Sequence, residues 1–197
     1  MVETARAAEP APLRRDAVLE AVAFAAERLL LSSDWSEVAV EVLGRLGVAA
    51  DVSRVHLVRN EDGSGPIMHI AAEWCSPGTG SHLDDPLVDG LGWEPDHTRW
   101  VERMRAGESI IGAIETFPEQ ERPALRHQSI VSLAYFPITV DGDWWGCIGN
   151  LQRWSQRLWA SGSWFICDSS TLPLQNALRA RWRFQVARRT RLCVRPG

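Results

Sequence analysis

The sequence contains no lysine; all 21 of its basic residues are arginine. That absence removes the phosphate-gripping Lys of a P-loop, the strand Lys of a protein kinase and the Schiff-base Lys of a pyridoxal enzyme. Cysteine is scarce as well. Cys75, Cys147, Cys167 and Cys193 stand far apart with no C-x-x-C pair, so they read as small apolar residues in a reducing compartment. His56, His69, His82, His97 and His127 show no H-E-x-x-H or comparable spacing, and no metal ligands are expected among them. No apolar run approaches the ~20 residues of a membrane span, and Met1 to Pro12 lacks the apolar centre of a signal peptide. A cytoplasmic chain with no membrane partner is the expectation.

What is present is one domain's worth of ordinary soluble protein. The 197 residues are 45% apolar and 23% charged, enough for one stable core plus flanking segments. The net charge of −4 argues against a nucleic-acid partner, but it hides an asymmetry. Residues 1–149 carry 12 Arg against 24 acidic residues, whereas 150–197 carry 9 Arg against Asp168 alone. The two parts are therefore read separately.

Residues 1–12, rich in Ala, Glu and Pro, predict a disordered lead-in. The apolar spacing of Leu13 to Leu31 predicts a helix. A cap at Ser33 or Asp34 starts a second one through Leu46, with Gly47 as its C-cap. The period then changes to two. Val55 and Leu57, alternating with Arg54 and His56, predict a half-buried strand to about Asn60, and Ile67 to Trp74 a second. Residues 75–96 form a long loop, usually a functional feature at that length. A short helix over Thr98 to Arg105, a brief strand over Ser109 to Ile114 and a helix from Pro118 to His127, broken at Pro123, come next. Ile130 to Val140 and Asp143 to Ile148 then pair around Asp141-Gly142, a dipeptide suited to a tight hairpin. This order predicts an α+β domain with a mainly antiparallel sheet.

Beside that reading stands a resemblance. Phe117-Pro118-x-x-Glu121-Arg122-x-x-Leu125-x-x-Gln128-x-Ile130-x-Ser132-Leu133 runs into Pro137-Ile138-x-Val140-Asp141-Gly142-x-Trp144-Trp145-Gly146-x-Ile148-Gly149. Together with Val52-Ser53-Arg54-Val55, Glu73-Trp74, Arg99-Trp100 and Arg105-x-Gly107-Glu108, this resembles the GAF domains found beside PAS domains, histidine kinases and nucleotide cyclases. The resemblance covers most of 13–149. It implies a central antiparallel sheet with helices on one side and a loop-covered pocket on the other. It also implies homodimerisation through the terminal helices and control of a separate signalling output. Past Gly149 the pattern departs, because a Trp- and Arg-rich stretch replaces the family's long C-terminal helix. Out-of-frame translation of a GC-rich gene and a genuine basic or disordered tail both account for residues 150–197.

Trp74, Trp93 and Trp100, with His97 and Arg99, gather around the long loop. In the binding reading they line a cavity in which flat rings stack a planar ligand and His97 or Arg99 anchors its polar edge. In the competing reading the tryptophans pack the core. Glu119, Glu121 and Arg122 are expected on a helix surface, and Asp84, Asp85 and Asp89 in a solvated loop. The function expected is small-molecule sensing, with the ligand and any cofactor unidentified. The alternatives are a dimerisation or protein-interaction module whose pocket its own tryptophans fill, and a thiol-dependent reductase acting through Cys75 or Cys147.

Overall fold

The structure is a computed structural model that describes residues 11–61, 67–93, 95, 97–140 and 142–152. Helix α1 (Ala11–Leu31) is the first described element and starts two residues before the expected helix, inside the expected disordered lead-in, whose residues 1–10 lie outside the described residues. Asp34 caps the next turn as expected, its carboxylate accepting from the Ser36 backbone N–H. That turn is a short 3-10 segment, Trp35–Glu37, and the regular helix α2 (Ala39–Ala50) follows it.

Gly47 is not the C-cap. It lies inside α2, which ends at Asp51 in the left-handed conformation, φ 53°. The reason is packing. Trp74 lies across α2, and a Cβ built on Gly47 would meet its ring at 2.2 Å. Gly44 gives the same ring its other side, with 3.1 Å to the nearest ring atom. Two glycines three residues apart on one helical face make a notch for an indole.

Among the described residues six strands form one antiparallel sheet, in the order β3-β2-β1-β6-β5-β4. They are β1 (Arg54–Glu61), β2 (Ile67–Cys75), β3 (Leu91–Gly92), β4 (Ile110–Ala113), β5 (Ser132–Val140) and β6 (Asp143–Gln152). The expected hairpin is there, with Val140 opposite Asp143 and Gly142 at φ 96°. Asp141, the Gly63–Pro66 turn and everything from residue 153 lie outside the described residues. Strand β6 runs on through Gln152, four residues past the expected strand end at Ile148, and buries Leu151 completely. Gln152 ties that end down by accepting from the buried Ser53 hydroxyl at 2.6 Å and donating to the Asp51 carbonyl at 3.0 Å.

Alternation along the strands builds two cores. On one face Val55, Leu57, Ala72, Ala134, Phe136 and Ile148 pack against α1 and α2. On the other, Val58, Leu133, Tyr135, Cys147 and Leu151 pack against α3 (Thr98–Arg105), Trp93 and Leu125 of α4 (Arg122–His127). Trp144 and Trp145 divide between the faces as alternation requires, Trp145 toward the helices and Trp144 toward the loops. The segment around Pro123 divides into two short pieces, as its proline requires, with the break before the residue rather than at it. Pro123 occupies the first turn of α4, where its missing N–H costs nothing, and a separate 3-10 turn, Glu119–Glu121, precedes it.

The Gly47 notch gives a direct test. Helix propensity alone favours Ala over Gly by about 1 kcal/mol, whereas overpacking a filled site costs about 1–3 kcal/mol. Gly47→Ala should therefore lower the urea unfolding midpoint, and combining it with Trp74→Leu should shrink the loss. A midpoint equal to or above the parent's would show that the ring is not seated there.

Candidate functional site

Strand β1 was expected to be half-buried, with Arg54 and His56 on its wet side. Both are instead buried, at 1% exposure each, because the segment after β2 folds back over them. Register puts His56 opposite Glu73 on β2 and opposite Gly149 on β6, and Gly149 opposite Tyr135 on β5. These four residues form a row across the loop-side face. Gly149 is the gap in it: a Cβ there would meet the Tyr135 ring at 2.5 Å. The ring lies over that gap and its hydroxyl reaches His56 Nδ1 at 3.5 Å.

Glu73 gathers the donors. His56 Nε2 lies 2.8 Å from Oε1, and Arg54 Nε 3.4 Å from the same oxygen. From the loop, the Ser81 hydroxyl donates to Oε2 and the His82 backbone N–H to both oxygens at 3.1 Å. Burial works against the Glu73 charge, but the bonds from His56 and Ser81, the attraction of His56 and the His82 N–H outweigh it and bring the carboxyl down to about 2. For His56 burial wins over the Glu73 contact and its pKa falls, so the ring is neutral at pH 7. Its Nε2–H then donates to Glu73, and Nδ1 offers a lone pair to the Tyr135 hydroxyl.

Arg54 is left partly unspent. Its Nη2 donates to the Gly80 carbonyl of the loop. Among the described residues, its buried Nε and Nη1 have no hydrogen-bond partner, since the 3.4 Å approach to Glu73 lacks hydrogen-bond geometry.

The five residues expected at a ligand cavity separate. Trp74 lies on the opposite face, in the α2 notch, because it is the neighbour of Glu73 on a strand whose side chains alternate. Trp93, His97 and Trp100 do come together, with ring centroids 5.1–6.4 Å apart, and Trp100 also meets Tyr135 at 5.5 Å. Trp93 and Trp100 are buried, at 3% and 2% exposure. Their indole N–H groups donate to Asn60 Oδ1 at 2.9 Å and Glu121 Oε2 at 2.7 Å. Arg99 is held by the same carboxylate through two bonds, 2.9 and 2.6 Å. Glu121, expected on a helix surface, is thus buried at 1% exposure. Burial raises its pKa, but the Arg99 and Trp100 bonds prevail and hold it ionised.

Comparison with known proteins agrees with the fold. No protein-family model matches the chain. It is 29% identical over 178 residues to the methanogenesis regulatory histidine kinase FilI of Methanothrix harundinacea, covering 89% of this chain and 20% of that protein. An uncharacterized protein of Azorhizobium caulinodans is 30% identical over 124 residues, 58% of this chain and 16% of that one. The chain thus spans about a fifth or less of these relatives. Among solved structures, the phycoerythrobilin-bound GAF domain of a cyanobacterial phytochrome superposes with TM-score 0.65 at 12% identity, covering 88% of this chain and 99% of that one. The blue-light absorbing form of the Thermosynechococcus elongatus PixJ GAF domain gives 0.56 at 16%, covering 96% and 97%. The chromophore-binding domain of the Stigmatella aurantiaca bacteriophytochrome gives 0.63 at 15%, covering 89% and 63%.

The fold is that of GAF domains. Among the described residues no helix is long and apolar enough to cross a membrane.

The buried pair dictates how the domain responds to acid. His56 has a folded pKa below its ordinary 6.5, so its contribution is complete above about that pH and is lost as pH falls below it. Glu73 drops from 4.5 to about 2 on folding, so its contribution is complete above 4.5 and is lost between there and about 2. Urea midpoints should therefore decline steadily from pH 7 to pH 3. Glu73→Gln should cost about 3–5 kcal/mol at pH 7, since it strands the Arg54 charge in the interior, and should flatten the steep part of the decline. A parent midpoint unchanged between pH 7 and pH 4 would contradict this assignment.

Proposed function

We propose that this GAF domain is a small-molecule-sensing signalling module which controls a fused or separate output protein and is not itself an enzyme. The fold and the histidine-kinase relative support the regulatory reading. The Arg54 guanidinium carries the sensing reading, being buried beneath a loop with two N–H directions unspent. Each buried donor without an acceptor costs about 1–3 kcal/mol, so the site gains when an oxygen acceptor enters. A ligand bearing carbonyl or carboxylate oxygens fits it, because guanidinium recognises such groups through paired bonds. Its entry competes with the Gly80 carbonyl for Arg54 and so with the closed loop. Trp93, His97 and Trp100, joined to the row through Tyr135, supply a flat wall beside it, and Arg99 braces that wall through Glu121.

Two further parts of the reading have their own support. Leu19 and Leu30 are exposed on α1 at 45% and 49%, eleven residues or three full turns apart, which suits a homodimer seam along the helix. Thiol catalysis is disfavoured because burial raises the pKa of both Cys75 and Cys147, and the Glu73 charge raises that of Cys75 further.

The second reading is a module with no ligand, and the buried, fully bonded indoles of Trp93 and Trp100 favour it. Thermal denaturation against a panel of carboxylates, nucleotides and tetrapyrroles separates the two. A true ligand at a hundred times its Kd should stabilise the domain by about 2.7 kcal/mol, and Arg54→Gln should abolish that gain. A flat panel would favour the ligand-free module. An activity abolished by Cys75→Ser or Cys147→Ser would return the thiol reading.

A further inference from the structure

The turn that covers Arg54 carries a second cluster, separate from the row of buried residues. His82 Nδ1 lies 2.8 Å from Asp85 Oδ2, and His127 Nε2, from the end of α4, lies 2.9 Å from the same oxygen. The three atoms fall within 4.8 Å of one another. His82 and Asp85 are nearly buried, at 16% and 20% side-chain exposure, whereas His127 faces water at 41%. We propose that His82, Asp85 and His127 bind a divalent transition-metal ion of the zinc class, which clamps the loop onto α4.

The donor chemistry selects the metal. Two imidazole nitrogens and one carboxylate suit zinc and its neighbours rather than calcium or magnesium, which prefer oxygen alone. Tetrahedral bonds near 2.1 Å place ligand atoms about 3.4 Å apart, so the two close contacts open by about half an ångström while the two ring nitrogens, within 4.8 Å of each other, settle to the same spacing. A fourth position, on the exposed side of His127, remains for water. Each imidazole then turns a lone pair to the metal from the nitrogen that now faces Asp85, and its proton moves to the other ring nitrogen or leaves for solvent.

The surroundings are already ordered for this. The Leu87 backbone N–H holds Asp85 Oδ1 at 3.0 Å, which fixes the carboxylate and turns Oδ2 toward both rings. That bond, followed by those from His82 and His127, draws the Asp85 carboxyl down to about 2, so it is ionised at any working pH. Glu73 holds the His82 backbone in place from beneath. Orientation by such outer partners is what metal-ligating side chains require. With the ion bound, the 76–90 segment would be pinned to the sheet at Glu73 and to α4 at His127. The inference stands on these three residues and holds whether or not the domain senses a small molecule.

The full chain, stripped with chelator and dialysed against Zn2+, should take up one ion at this site with micromolar or tighter affinity. Co2+ in its place should give the visible absorption of a four- or five-coordinate site with nitrogen ligands. His127→Gln, His82→Gln and Asp85→Asn should each weaken uptake at least tenfold, while His69→Gln and Asp84→Asn should match the parent. Zn2+ should also slow proteolysis within 76–92 in the parent and not in His127→Gln. His127 is the deciding position, because its exposed ring can be replaced without disturbing the core; circular dichroism confirms that this variant folds. No saturable uptake by the parent, or uptake in His127→Gln at parental affinity, overturns the proposal.

Discussion

Glu73 accepts hydrogen bonds from two places that the chain order keeps apart. His56, with the Arg54 charge beside it, approaches from the sheet, and Ser81 and the His82 backbone approach from the loop. A carboxylate this deeply buried is tolerable only when its lone pairs are filled and a cation stands close. The loop supplies the bonds that complete the set. Its closed position is therefore a condition for keeping Glu73 charged in the interior, and the cover over β1 follows from that condition. Glu121 repeats the logic at the other end of the same face, binding Arg99 and the Trp100 indole and fixing α3 against the 3-10 turn before α4.

The two carboxylates explain why the loop-side core differs from the helix-side core. The helix side is an apolar contact between α1, α2 and alternate strand residues, with an exposed Arg28–Glu41 pair adding little. The loop side mixes Leu133, Met104 and Ile110 with Arg54, His56, Glu73 and Glu121: His56 and Glu73 answer each other across the sheet, Arg54 bonds the loop at Gly80, and Glu121 is bonded from α3. A buried ionic network depends on geometry and is costly when half satisfied. That places the sensitive part of the domain under the loop.

Much of this was legible in the residues, and the failures have physical causes. Helix α3 stands where its apolar spacing put it, and the Asp-Gly hairpin and the first two strands are there because their signals are local. Gly47 misled because a glycine at a helix end and a glycine under an indole look alike in one dimension. Trp74 misled for a related reason. Counting aromatics near a loop ignores strand parity, and parity sends Trp74 to one face and Glu73 to the other. Arg54 and His56 looked solvent-facing because alternation reports which face a residue takes, not what later folds over that face. A signal for the site did exist: a basic pair on one strand, an acid at the end of the next, then a long Gly- and Pro-containing loop with room to return. Spacing rules could not bring His82, Asp85 and His127 together, because His127 lies 42 residues from Asp85.

Strand parity also gives the two faces a mechanical connection. Glu73 and Trp74 are consecutive on β2, one bonded to the loop and the other seated between Gly44 and Gly47 of α2. Displacing the Glu73 carboxylate by opening the loop loads the same peptide unit that carries the indole. The notch leaves the ring little freedom, since close-packed interiors transmit displacement rather than absorb it. The response then falls on α2 and on α1 packed beside it. Coupling of this kind requires two discrete arrangements and a ligand that prefers one of them. On the proposed sensing function, the unspent donors of Arg54 would supply such a preference: the closed loop satisfies one direction of the guanidinium through Gly80, and an oxygen ligand that satisfied the others would bind only where the loop had made room for it.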